Sequence, residues 1–204
     1  MLIEKSRWDY IKIMMLDTYM EGHKGFIAGG CFKNIFMGEK IKDIDMFFYN
    51  VVDMVEAERY YESNEDYVFY YETEKVKAYK NTKHGTVIEL VKTVYGTPKD
   101  IISNFDFTIT KFAYYKKYEN NPETGDIEIT YSVLVHEDFF EHLLLKRTVI
   151  DDKIPFPANS FERMIKYTKY GFYPCRETKM KLLQEIHKMP SIPDISMGLY
   201  DGLD

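Results

Sequence analysis

The chain has 204 residues, with 27 Lys and Arg against 33 Asp and Glu, a formal net charge of −6 and 45% hydrophobic residues. That length suits one compact domain with a helical appendage, large enough to bury about 70% of the unfolded chain's surface, and the negative balance argues against a broad nucleic-acid-binding face. Two cysteines, Cys31 and Cys175, make neither a disulfide framework nor a Cys-x-x-Cys pair, and the histidines show no zinc-type spacing. No signal-peptide pattern and no apolar stretch of about 20 residues is visible, so a soluble, cytoplasmic chain without a membrane span is expected.

In chain order, residues 4–20 carry a helical pattern that would turn Trp8, Ile11, Met14 or Met15, and Tyr19 inward. Strands are predicted at 25–28 and 43–49, on either side of a short helix at 31–37. A helix at about 52–63 follows the capping candidates Asn50 and Asp53. Strands follow at 67–71, 75–79 and 86–92, the last two joined by a hairpin turn at 81–85. Thr97 and Pro98 open a short helix. Residues 105–115 return as a strand, NPETG at 121–125 turns, and 127–135 is the partner strand. From about 137 the chain reads as helical, interrupted by Pro155 and Pro157, and residues 191–204 read as a surface tail. Most of the 18 Tyr and 14 Phe are spaced as core residues of strands and helices.

The chemistry concentrates in residues 25–48, GFIAGGCFKNIFMGEKIKDIDMFF. Successive side chains on a strand point to opposite faces, so Asp43 and Asp45 share one face while Ile44, Met46 and Phe48 line the other. Two carboxylates so placed repel each other and call for a cation. Hard oxygen ligands suit Mg2+, which binds through one or two carboxylates plus substrate phosphates. Gly29 and Gly30 remove side chains that would hold a triphosphate away from the backbone N–H groups, and a helix starting near Phe32 would aim its N-terminus at that anion. Separately, a Gly-Gly pair is an ordinary turn and an Asp pair an ordinary solvated strand face; their spacing behind an apolar strand favours a site.

This segment resembles the signature of the DNA polymerase beta-type nucleotidyltransferase superfamily: an apolar residue, Gly-Gly or Gly-Ser, a spacer, then Asp-x-Asp between apolar residues. Three later segments, in order, are similar to the head and neck of class II tRNA CCA-adding enzymes and bacterial poly(A) polymerases. KHGTVIELVK at 83–92 places Glu89 where the family sets a third carboxylate. NFDFTITKFA at 104–113 is similar to the Arg-Arg-Asp-Phe-Thr motif beside the nucleotide sugar and aligns Asp106 with its Asp. RMIKYTKYGF at 163–172 resembles the neck helix that contacts the base. From the residues alone, Glu89 reads first as an outward strand residue, Asp106 as either a pocket or an exposed residue, and 163–171 as a packing helix.

The resemblance implies an α+β fold: a nucleotidyltransferase head at 1–135, with a mixed or antiparallel sheet flanked by helices, then a short helical neck at 136–190. It implies a metal-dependent transfer of a nucleoside monophosphate from a nucleoside triphosphate to an acceptor hydroxyl, with release of pyrophosphate. Asp43, Asp45 and Glu89 would be catalytic and hold two Mg2+ ions, with Mn2+ as the alternative; Gly29, Gly30, Lys33, Asp106, Arg163 and Lys166 would bind the nucleotide. Expected partners are the triphosphate and an RNA or tRNA 3′ end met by a local basic patch at 163–181, without DNA. Transfer to a protein or small molecule, or an inactive nucleotide-binding module, are the alternatives. Departures from the pattern restrict this reading. Asn104 and Phe105 stand in place of the two arginines, Thr110 in place of an Asn, Lys33 and Asn34 in place of Arg-Asp, and NSFER at 159–163 in place of Glu-Asp-x-x-Arg. Templated addition of C and then A is therefore not expected, and a full tRNA-binding body does not fit this length.

Overall fold

Eight strands form one sheet in which a single neighbouring pair runs parallel, and that pair carries the acidic residues. The computed structural model describes residues 1–121, 125–151 and 154–190. The expected tail at 191–204 and the centre of the NPETG turn lie outside the described residues. In chain order come β1 (Leu2–Ser6), a 3-10 segment (Arg7–Tyr19), β2 (Phe26–Ala28), α1 (Cys31–Met37), β3 (Asp43–Phe48) and α2 (Val51–Ser63). There follow β4 (Tyr67–Glu72), β5 (Val76–Asn81), β6 (Val87–Tyr95), α3 (Pro98–Ser103), a 3-10 turn (Thr108–Thr110), β7 (Phe112–Asn120) and β8 (Ile127–His136). The chain ends, as described, with α4 (Phe139–Leu144), β9 (Arg147–Thr148), α5 (Pro157–Lys169), β10 (Tyr173–Pro174) and α6 (Arg176–His187). The sheet order is β1-β8-β7-β2-β3-β6-β5-β4, and β9 and β10 pair separately. The α+β class with a mostly antiparallel sheet flanked by helices is as expected; β3 and β6 are its parallel pair.

Strand alternation divides the core in two. Ile44, Met46 and Phe48 of β3 join Ile27, Ile88 and Leu90 in the main cluster under α2 and the first 3-10 segment. Phe47, Phe26, Ala28 and Val91 face the other way and meet Ile101 and Ile102 of α3. Each such large side chain contributes about 1.5–3 kcal/mol when withdrawn from water. Phe172 and Leu182, from the last third of the chain, enter the main cluster. Local signals fix the helix starts. Asn50 Oδ1 accepts from Asp53 N at 3.0 Å. Thr97 and Asp100 form a reciprocal capping box, with Thr97 N donating to Asp100 Oδ2 at 2.9 Å and Asp100 N to Thr97 Oγ1 at 3.2 Å.

The N-terminal helix expected at 4–20 is instead an edge strand followed by a 3-10 segment. Ser6 stays extended and accepts from Trp8 N, and Tyr10 (φ −139°, ψ 60°) breaks any continuous helix. Ile13, Leu16 and Tyr19 are the buried residues there, a period of three that fits the three residues per turn of a 3-10 helix. Trp8 and Ile11, expected inward, are 66% and 70% exposed. The strand expected at 105–115 begins only at Phe112, because residues 108–110 coil and Thr110 Oγ1 donates to Phe107 O at 2.8 Å. The stretch after 137 contains the short β9–β10 pair as well as helices.

Candidate active site

Asp43 and Asp45 project from the face of β3 opposite Ile44 and Met46, the face shared with Phe47. In the parallel pairing of β3 with β6, Asp45 stands directly beside Glu89 and Asp43 beside Val87. Asp43 is exposed, Asp45 half-buried and Glu89 buried. Burial pushes the Asp45 carboxyl well above the usual carboxylate range, and the charges of Glu89 and Asp43 push it further; Lys166 opposes them. Glu89 is raised by burial and by Asp43, against a hydrogen bond from Tyr71 and the charge of Lys166. Three carboxylates thus share one patch at an energetic cost.

Gly29 ends β2 with φ +102°, a left-handed conformation that favours glycine. A Cβ there would sit 3.4 Å from Asp45 Oδ2, so the missing side chain leaves open the space beside that carboxylate. A Cβ on Gly30 would lie 3.8 Å from the Tyr167 hydroxyl. Burial foremost, then the charges of Asp106, Asp45 and Asp43, raise the phenol of Tyr167 on α5 against the opposing pull of Arg163. α5 therefore closes over the Gly29–Gly30 turn and carries Arg163, Lys166 and Tyr167 to the acidic patch.

The other expected nucleotide residues divide. Asp106 is 3% exposed; it accepts from Phe107 N at 2.9 Å and from Arg163 Nε at 2.9 Å. Arg163 Nη2 reaches the same Asp106 oxygen at 2.7 Å. Lys166 acts on both Asp45 and Glu89 through its charge. Lys33 is buried: its Nζ donates to Glu39 Oε2 at 3.2 Å and lies 5.7 and 5.4 Å from the rings of Tyr170 and Phe172. The basic stretch at 163–181 is in part consumed internally, since Arg163 holds Asp106 and Lys181 Nζ donates to the carbonyls of Ile150 and Asp151. Cys31 is a core residue, with burial foremost in pushing its thiol well up, which suits packing and not nucleophilic attack.

Tyr71 is the residue at the acidic patch that the sequence did not point to, whereas Tyr167, on the helix read as packing, does pack against the main core. Tyr71 Oη donates to Glu89 Oε1. Its signal was hidden in a run of aromatic residues, because a strand reading alone does not say which face each one takes.

As the side chains stand, no group of three His, Cys, Asp or Glu among the described residues is gathered closely enough to hold an ion. The donor set nevertheless fits a hard divalent cation. Asp45 and Glu89 are in-register neighbours whose negative forms are disfavoured first by burial, then at Asp45 by Glu89 and Asp43 and at Glu89 by Asp43, and Asp43 adds a third oxygen donor on the same face. A cation would relieve that repulsion.

The fold is similar to that of a CCA-adding enzyme solved with ATP, at 15% identity and a TM-score of 0.64 over 92% of this chain and 47% of that one. It is similar also to the Thermotoga maritima CCA-adding enzyme complexed with tRNA (18% identity, TM-score 0.58, 92% and 46%). A tRNA nucleotidyltransferase complexed with a primer tRNA and an incoming ATP analogue gives 18% identity and a TM-score of 0.53, over 86% and 50%. At these identities the likeness is one of fold, and the chain spans about half the length of the solved structures it matches. No curated protein matches the chain. A family model matches residues 2–146, from β1 through α4 and including every acidic residue of the patch. The chain belongs to the Gabija anti-defense 2 (Gad2) family.

Proposed function

We propose that the protein is a divalent-metal-dependent nucleotidyltransferase that moves a nucleoside monophosphate from a nucleoside triphosphate to an acceptor hydroxyl, releasing pyrophosphate. The observation that carries this reading is the registry of Asp45 with Glu89, with Asp43 on the same face and the side-chain-free Gly29 beside Asp45. Asp43 and Asp45, with Glu89, would hold Mg2+ or Mn2+. Bound there, the metal supplies charge neutralisation for the phosphates and for the attacking and leaving oxygens. Gly29 and Gly30 leave room for the triphosphate against the backbone. Lys166 adds positive charge over Asp45 and Glu89. Glu89 already accepts a hydroxyl hydrogen bond, the contact an acceptor needs before it loses its proton. Arg163 and Asp106 brace α5 over the turn, beside the position the ribose is expected to take. Catalysis by such a site rests on positioning and charge, with no protein nucleophile required for the transfer in trans.

An RNA 3′ end as acceptor is supported by the tRNA-bound enzymes of similar fold. A protein hydroxyl as acceptor is favoured by two observations: the family's description names an anti-defense role, and Arg163 and Lys181 of the basic stretch are spent on internal partners. Incubating the protein with each α-labelled nucleoside triphosphate, Mg2+ or Mn2+, and either total RNA or a cell lysate distinguishes the two. Label is expected on RNA or on a protein, and lost with Asp43→Asn and with Asp45→Asn. Full transfer by both variants overturns the assignment.

A further inference from the structure

We propose that Tyr71 is an acceptor built into the site, so that the chain transfers a nucleoside monophosphate to its own Tyr71 hydroxyl. The proposal rests on the nucleotidyltransferase reading and deepens it by naming one acceptor.

Tyr71 on β4 stands opposite Ala78 on β5, Ala78 opposite Glu89 on β6, and Glu89 beside Asp45 on β3. Residues directly opposite in a sheet share a face, so these four form one row across four strands. β4 and β6 are two strand spacings apart, roughly 10 Å. The residue between them is Ala78, whose small side chain lets the Tyr71 phenol cross to Glu89, where it donates to Oε1.

A bulge produces this alignment. The register shifts between Phe69, opposite Tyr79, and Tyr71, opposite Ala78. Without the extra residue Tyr71 would share a face with Phe69 and point away from Glu89. The irregularity therefore delivers a phenol to the catalytic carboxylates. β4 is also the last strand of the sheet, so this phenol arrives from the open edge of the site.

Of the described hydroxyls, Tyr71 is the one shown donating to a carboxylate of the acidic row. With Glu89 as the carboxylate that takes the acceptor's proton, this phenol stands in the acceptor's place. In the step proposed, Tyr71 Oη attacks the α-phosphorus of the triphosphate. An O–P bond forms, the bond from the α-phosphorus to the bridging oxygen of the β-phosphate breaks, and pyrophosphate leaves with that electron pair. The phenol proton passes to Glu89, the carboxylate it already bonds. One equivalent is consumed per chain, and the product covers Glu89 with a bulky phosphodiester.

The test is the intact mass of the purified protein after incubation with each nucleoside triphosphate and Mg2+ or Mn2+, with peptide mapping, beside a parallel transfer to RNA and lysate. Expected is a single added nucleoside monophosphate on Tyr71, absent in Tyr71→Phe and in Asp45→Asn. Label on RNA or lysate protein with Tyr71 unmodified overturns the internal acceptor and leaves the nucleotidyltransferase reading standing. An adduct on another residue, such as Tyr167, overturns it as well. No label on anything overturns both. A metal-free arm uses 5′-fluorosulfonylbenzoyl adenosine, which sulfonylates nucleophilic side chains at nucleotide sites. Labelling of Tyr71 that is suppressed by excess ATP is expected, and its absence overturns the placement of the phenol against the nucleotide.

Discussion

Arg163 of α5 directs both Nε and Nη2 at a single oxygen of Asp106, at 2.9 and 2.7 Å, and so ties α5 to the loop between α3 and the second 3-10 turn. Asp106 is almost fully buried, whereas the Arg163 side chain is 45% exposed. The asymmetry decides what each substitution does. Arg163→Ala leaves a buried carboxylate without its cation, and a loss of about 2 kcal/mol is expected. The double variant with Asp106→Asn should recover roughly half of that, because the stranded charge is gone. Urea unfolding of the two single variants and the double variant checks this, and strictly additive losses would show that the pair is not coupled.

Asp45 and Glu89 predict a trade between stability and activity. Folding raises both carboxyls, chiefly through burial. The sign follows: a group raised in the folded state stabilises it below the ordinary carboxylate range, and that contribution is lost as pH rises through the raised value. Near neutral pH burying the Asp45 carboxyl among its acidic neighbours therefore costs the wild type stability, a cost that Asp45→Asn removes. The variant should melt about 3 °C higher, corresponding to ~1 kcal/mol, while losing transfer. Millimolar Mg2+ should raise the melting temperature of the wild type and not that of the variant. A variant that melts lower than wild type in metal-free buffer contradicts the electrostatic account.

Particular residues show why the site was partly legible in the sequence. Period-two alternation placed Asp43 and Asp45 on one face and Ile44, Met46 and Phe48 in the core, because burial on one side of a strand fixes its parity. Caps at Asn50 and Thr97 are local, so the starts of α2 and α3 could be read directly. The partnership of Arg163 with Asp106 could not, since it joins residues far apart in sequence. Nor could Tyr71, whose face depends on a bulge that no local pattern announces. At the N-terminus, Trp8 and Ile11 fitted a period of 3.6, and the chain instead follows the period of three marked by Ile13, Leu16 and Tyr19.

Gly29 is predicted to tolerate no side chain for two separable reasons. Its φ of +102° strains any L-residue, and a Cβ would enter the space beside Asp45. Gly29→Ala is expected to cost about 1–2 kcal/mol of stability and, in addition, to raise the KM for the triphosphate. A destabilised variant whose KM is unchanged would place the triphosphate away from this turn.

His23 supplies the clearest dependence of stability on pH. Its ring is 5% exposed, with Nδ1 accepting from Gly25 N at 3.0 Å. Nε2 therefore carries the proton and donates to Tyr19 O at 3.2 Å, a carbonyl that also receives the Tyr61 hydroxyl at 2.6 Å. A second proton on Nδ1 would face the Gly25 N–H. Burial, helped by the nearby Lys116 charge, lowers the His23 pKa from 6.5 to about 4. The unfolded chain takes up a proton that the folded chain refuses, so stability is full above pH 6.5 and falls as pH drops toward about 4. The span corresponds to roughly 3 kcal/mol. Urea denaturation of the wild type and of His23→Gln across that window should give a steeper acid loss for the wild type by about that amount, and parallel curves would show that His23 is already protonated in the folded protein.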